Sequence, residues 1–111
     1  MRYFNPVGAH HSGIIGENPK CESTNLFPSI VNVFQNKQIQ LFIFGNNWPT
    51  KDGTCIRDFI HVMDLVDAHI STMEYLNLNE SQILNLNLGS GKGISIKDLI
   101  MIYEKTNNCI I

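Results

Sequence analysis

Arg57, with Asp58 behind it, stands beside the apolar residues Ile56, Phe59, Ile60 and Val62. The pair permits two readings. One is a surface ion pair, which contributes ~0–1 kcal/mol. The other is a guanidinium fork that meets two diphosphate oxygens at once, which lysine cannot copy. Spacing alone leaves both open. Phe42 and Phe44 fall two residues apart, on one face of an expected strand. Aromatics so placed usually belong to a core, and a ligand face is the alternative. Asn25-Leu26 opens an expected helix, whose first N–H groups and positive dipole end suit an anion or a uracil carbonyl. Every helix has such an end, so the signal is weak by itself.

Other clusters fit less chemistry. Gly89-Ser90-Gly91-Lys92-Gly93 fails both phosphate-loop patterns, since no Ser or Thr follows the lysine and the glycine spacing is wrong. A tight strand-to-helix turn, with a nucleotide passing close to the backbone, is the better reading. His10, His11 and Cys21 lack a second ligand pair at helical or strand spacing, so no metal is expected. Ser12 has no GxSxG elbow around it. Asp52, Asp58 and Asp64 read as turn, pair and helix cap rather than as acid/base groups, and His61 and His69 as packed or surface residues. No catalytic residue is assigned.

The elements that would position these residues follow from pattern. Met1 to Phe4 reads as a strand ended by Asn5-Pro6, and residues 8–23 as a long functional loop. Leu26, Ile30, Val33 and Phe34 give one stripe of a helix from Leu26 to Gln35, capped by Thr24 or Asn25. Ile39 to Phe44 is β-branched and aromatic, which predicts a strand, and Gly45 to Gly53 a turn-rich loop. A short strand near Arg57 to Val62 precedes a helix opened by Asp64, with Leu65, Ala68, His69, Met73 and Leu76 inward. Ile83 to Leu88 predicts a strand. Ser95 and Asp98 start a last helix through about Thr106, with Leu99, Ile102, Tyr103 and Thr106 on one face. Strands alternating with helices make an α/β chain.

Composition sets the bounds. The chain has 111 residues, 43% of them hydrophobic, and a formal charge of -2. That is enough for one small domain with a core, and no basic excess points to nucleic acid or an anionic membrane. The longest apolar run, Leu41 to Phe44, cannot span a bilayer, and the first residues lack a signal-peptide core. A cytoplasmic location is the expectation. Cys21, Cys55 and Cys109 are scattered and odd in number, so free thiols are expected rather than disulfides or structural zinc. Asn79-Glu80-Ser81 fits a glycosylation sequon and reads as a polar loop.

Three segments in order carry a family resemblance: Arg2 to His10 (RYFNPVGAH), Phe44 to Leu65 (FGNNWPTKDGTCIRDFIHVMDL) and Asn87 to Gly93 (NLGSGKG). They resemble the middle-to-late portion of the UDP-glucose 4-epimerases, extended short-chain dehydrogenase/reductases, over about residues 1–109. The resemblance implies part of a Rossmann-type parallel sheet plus part of the substrate-binding domain. Residues 1–13 would end the nucleotide-binding domain and 14–56 belong to the substrate-binding portion. Residues 57–95 would return to the nucleotide-binding sheet, and 96–111 form a substrate-domain helix.

The function implied is NAD-dependent interconversion of UDP-galactose and UDP-glucose in galactose metabolism. The sugar's C4 is oxidised to a ketone, the sugar swings round, and hydride returns to the other face. Residue by residue, Phe4 would lie by the nicotinamide of NAD and Asn5 would contact the UDP-sugar. Asn25 and Leu26 would hold the nucleotide, Phe42, Ile43 and Phe44 would line the uracil, and Arg57 would grip the diphosphate. Ile96 would border the ribose. Family members are often homodimers. The chain departs from the family pattern at Ser23-Thr24, His11, Cys21, Cys55 and Phe42, where a small residue is usual. No YxxxK acid/base pair occurs, because Val7, Asn79 and Asn107 follow Tyr3, Tyr75 and Tyr103 four residues on. That pair, the glycine-rich NAD loop and a downstream Arg-x-x-Asp segment are expected outside these residues. The chain alone is therefore expected to be inactive, awaiting an N-terminal portion or a partner that supplies one. The alternative is a non-catalytic UDP-sugar-binding remnant or truncated product.

Overall fold

The computed structural model describes residues 1–20 and 24–111. Cys21 and Ser23, and the readings placed on them, lie outside the described residues. Eight elements run in the order β1 (Arg2–Tyr3), β2 (Asn5–Val7), α1 (Leu26–Phe34), β3 (Ile56–His61), α2 (Val62–Leu78), β4 (Asn87–Leu88), β5 (Gly93–Ser95) and α3 (Ile96–Asn107). The chain is α/β with parallel pairing, as the alternation of strands and helices implies. Residues divide into two compact units, 1–17 with 58–92 and 18–57 with 93–111.

In the first unit, β1 lies parallel to β4 with Arg2 opposite Asn87 and Tyr3 opposite Leu88. The Phe4 N–H donates to the Leu88 carbonyl at 2.9 Å, which carries the ladder one residue past β1. β2 lies parallel to β3, with Asn5, Pro6 and Val7 opposite Phe59, Ile60 and His61. Pro6 does not end the strand run as expected. Its strand sits at the edge, and a residue without a donor is tolerated there. The buried Ile60 and Leu65 anchor this unit.

α2 begins two residues before Asp64. His61 is its N-cap, with Nδ1 accepting from the Met63 N–H at 3.2 Å, while Asp64 lies in the first turn. Only Leu65 of the expected inner stripe is buried; Met73 is 64% exposed. No described element covers that part of the helix, so its periodicity has nothing to pack against. Similarly, the strand expected from Ile83 shrinks to Asn87–Leu88, since β1 offers a ladder of only that length.

The second unit is organised around two helices. Asn25 is the N-cap of α1, and its carbonyl accepts from the Ser29 N–H at 3.3 Å and hydroxyl at 2.9 Å. Ile30, fully buried, contributes about 1.5–3 kcal/mol through its removal from water. Phe34 meets Tyr103 of α3 edge-on, with centroids 6.2 Å apart. Ser95 caps α3 by accepting from the Asp98 N–H at 3.1 Å. Of the face expected on α3, Leu99 is buried and Ile102 is exposed. Residues 39–44 form no strand, and Ile39 is 99% exposed. β-propensity describes fit to a pleated, half-buried surface, and without a paired neighbour it forms nothing.

Among the described residues, no helix is long and apolar enough to cross a membrane. Ile14, Ile39, Phe44, Leu78, Ile83 and Ile110 are each at least 85% exposed. So much bare apolar surface predicts loose folding of the isolated chain. We expect helical far-UV circular dichroism together with a broad thermal transition and binding of a hydrophobic dye. A sharp, reversible transition without dye binding would contradict this.

Candidate functional site

In the first unit the candidate residues meet at the carboxyl ends of strands. Phe4 follows β1, Asn5 opens β2, and Asp58 lies within β3. The Asn5 side-chain amide donates to the Asp58 carbonyl at 2.8 Å. Asp58 does not act as the expected partner of Arg57. Its Oδ1 accepts from the Ser90 N–H at 2.8 Å and the Ser90 hydroxyl at 2.7 Å, and Oδ2 accepts from the Gly91 N–H at 2.9 Å. Those donors, led by the Ser90 hydroxyl, hold its carboxyl below the usual carboxylate range.

Gly89 is where the backbone must lack a side chain. A Cβ there would lie 2.1 Å from Phe4 Cδ2 and 2.6 Å from Asp58 Oδ2. The expectation of a tight turn over residues 89–93 is met, and its reason is the Phe4 ring. Phe4 itself remains 47% exposed. An exposed aromatic at the carboxyl end of a parallel strand stands where α/β sheets bind ligands, and its flat ring suits a nicotinamide. Nearby, Tyr3 Oη lies 3.0 Å from His69 Nε2, and His69 Nδ1 lies 2.8 Å from the Leu65 carbonyl. His69 is thus held by two hydrogen bonds at a half-buried position.

The second unit holds Asn25, Leu26, Phe42, Ile43, Phe44, Arg57 and Ile96. Arg57 is exposed on β3. Phe42 and Phe44 are 58% and 92% exposed. Ile43 instead lines a groove of about 200 Å³ with Leu41, Lys97, Ile100, Met101 and Glu104. The alternation read from the sequence therefore survives locally even though the strand does not. The Ile96 N–H donates to the Cys55 carbonyl at 3.2 Å, which sets the start of α3 beside the residues leading into β3. Cys55 and Cys109 are free thiols.

Asp52 organises this region, a role its reading as a turn residue understated. Oδ1 accepts from the Thr54 N–H at 2.8 Å and the Thr54 hydroxyl at 2.7 Å, while Oδ2 accepts from the Ser95 hydroxyl at 2.5 Å. The Asp52 carbonyl accepts from Lys97 Nζ at 3.0 Å. Ser95 and then Thr54 pull the Asp52 carboxyl down to about 2. Carboxylates held this low are poorly matched to proton transfer near neutral pH. What the residues offer is binding: an exposed guanidinium, exposed aromatics and a helix N-terminus.

The NAD dependent epimerase/dehydratase family matches residues 1–89. A UDP-glucose 4-epimerase of Drosophila melanogaster is 44% identical over 108 residues, 96% of this chain and 31% of the relative. One from Bacillus subtilis is 46% identical over 107 residues, again 96% and 31%. Among solved structures, a UDP-glucose 4-epimerase from Stenotrophomonas maltophila with bound NAD and formylated UDP-arabinopyranose superposes with a TM-score of 0.94. It is 42% identical, and the match covers 99% of this chain and 32% of that one. The enzyme from Bifidobacterium longum in complex with NAD+ and UDP gives 0.92 at 39% identity, covering 99% and 32%. The chain spans about a third of the length of these relatives.

Two outcomes follow from the Asp52 cluster. A carboxyl lowered on folding stabilises the fold above its ordinary value and loses that effect as pH falls through its folded value. Stability from Asp52 should therefore decline between pH 3.8 and about 2. Carbon-13 titration of the carboxyl should find a midpoint near 2, and a midpoint at 3.8 or above would contradict the hydrogen-bond set. Gly53 has φ +79°, and a Cβ there would lie 2.0 Å from the Asn46 carbonyl oxygen. Gly53→Ala should cost more than about 1 kcal/mol in denaturant unfolding.

Proposed function

Because this chain belongs to the NAD dependent epimerase/dehydratase family, we propose that it carries nucleotide-sugar contacts of a UDP-glucose 4-epimerase. The reaction would interconvert UDP-galactose and UDP-glucose through oxidation and reduction at the sugar's C4. The observation that carries this reading is identity of 44% and 46% along nearly the whole chain to enzymes named for that activity. The solved relatives described with NAD and with UDP or a UDP-sugar support it.

The roles divide between the two units. In the first, Phe4 presents its exposed ring to the nicotinamide and Asn5 contacts the substrate. In the second, the α1 start at Asn25 and Leu26 holds the nucleotide, Phe42, Ile43 and Phe44 border the uracil, and Ile96 borders the ribose. Arg57 grips the diphosphate. Its exposure favours this role, and so does the engagement of the neighbouring Asp58 carboxylate by Ser90 and Gly91. NAD, when bound, supplies the hydride acceptor and donor. We take residues 1–17 and 58–92 as nucleotide-binding sheet and the remainder as substrate-binding portion.

A second reading, a UDP-sugar-binding chain without turnover, is favoured by one observation: no tyrosine here has a lysine four residues on. Without an acid/base, the C4 hydroxyl proton has no acceptor among the assigned residues. The purified chain, assayed with NAD and UDP-galactose, should give no UDP-glucose above the no-protein control. Turnover would overturn that restriction. Calorimetric titration with UDP tests the binding role. Arg57→Ala should lose about 1.5–3 kcal/mol of affinity, and Arg57→Lys less, because it keeps the charge without the fork. Equal affinities for all three proteins would refute the diphosphate role.

A further inference from the structure

The exposed Phe4 ring rests on Gly89 with no Cβ between them, and an aromatic on an exposed loop turn would ordinarily sample several rotamers. Something must fix the turn beneath it. The Gly89–Lys92 segment has no strand or helix hydrogen bonds to hold it. Its Ser90 and Gly91 N–H groups turn instead to one carboxylate, Asp58, thirty-two and thirty-three residues away in the chain. The Ser90 hydroxyl doubles the grip on Oδ1 and is also the acceptor for the Lys92 N–H at 3.2 Å. The backbone of the same Asp58 takes the Asn5 side chain through its carbonyl.

We propose that Asp58 is a positioning residue, whose carboxylate clamps the Ser90–Gly91 backbone so that Gly89 forms a fixed floor under the Phe4 ring. Its use to a cofactor rests on the reading of Phe4 as the nicotinamide neighbour. Oδ2 of Asp58 lies 2.6 Å from the vacant Cβ position of Gly89, so clamp and floor share one small space. Asparagine is nearly isosteric but replaces one acceptor by a donor that faces an N–H. Asp58→Asn therefore breaks the clamp without opening a cavity. Through Asn5, the same residue joins the start of β2 to this floor, so two residues assigned to ligands share one support.

The test is nuclear magnetic resonance of wild-type protein, Asp58→Asn and Ser90→Ala. In the wild type, Phe4 ring protons and a Gly89 Hα should show a strong Overhauser contact. In Asp58→Asn that contact should vanish, and the Ser90 and Gly91 amides should exchange about tenfold faster, as expected for loss of hydrogen bonds to a charged acceptor. Amides of α2 should keep their wild-type exchange rates, which separates lost positioning from lost folding. Ser90→Ala, which removes the hydroxyl and keeps both N–H donors, should give an intermediate change. An unchanged Phe4–Gly89 contact in Asp58→Asn with the α2 amides protected would overturn the proposal. Added NADH should give a contact between its nicotinamide protons and the Phe4 ring. Its absence in wild type would count against the cofactor reading of Phe4 and leave the clamp standing.

Discussion

Parallel strands cannot be closed by a two-residue hairpin, so their ends must be tied by groups distant in the chain. In the first unit β1 pairs with β4 and β2 with β3, all parallel, and the residues assigned to ligands lie at those ends. The tie is the Asp58 carboxylate, which receives three hydrogen bonds from Ser90 and Gly91. Phe4 and Asn5 take their places around it. The second unit uses Asp52 in the same manner, joining the turn before β3 to Ser95 at the start of α3. In each case a carboxylate does with N–H and O–H donors what a ladder would do elsewhere.

This use of carboxylates bears on chemistry. An aspartate stabilised by hydrogen bonds to its charged form gives up its capacity to shuttle protons near neutral pH. Asp52 and Asp58 are accordingly scaffolding, and they leave the exposed guanidinium of Arg57 and the exposed rings of Phe4, Phe42 and Phe44 to meet a ligand. The proposed role for the chain is recognition of a nucleotide-sugar rather than proton transfer.

Local signals in the sequence were sufficient where stability is local. The Ser95–Asp98 cap, the stripe through Ile30 and the β-branched run of β3 each specify their element with their own neighbours. The same signals misled where a partner was required. Ile39 to Phe44 has strand composition without a ladder, and Met73 and Leu76 have helix periodicity without a cover. His61 was missed as a helix cap because histidine is not a usual capping residue. Asp52 had a readable signal, since Asp-Gly-Thr favours a side-chain-bonded turn, but its bond to Ser95 spans 43 residues. Asp58 had none, for nothing near it points to Ser90. The ligand assignments of Phe4, Asn5, Asn25, Leu26, Phe42–Phe44, Arg57 and Ile96 came from family resemblance. Residue type and spacing alone left Arg57 undecided.

The central claim is that the chain recognises the nucleotide diphosphate through Arg57. The most direct measurement follows the Arg57 Nε–H resonance, and the backbone amides of Asn25 and Leu26, while UDP and then uridine are added to the protein. The account predicts that UDP shifts the Arg57 signal and that uridine, lacking phosphate, leaves it in place while still moving Asn25 and Leu26. An Arg57 resonance that ignores UDP at concentrations saturating the other shifts would contradict the claim.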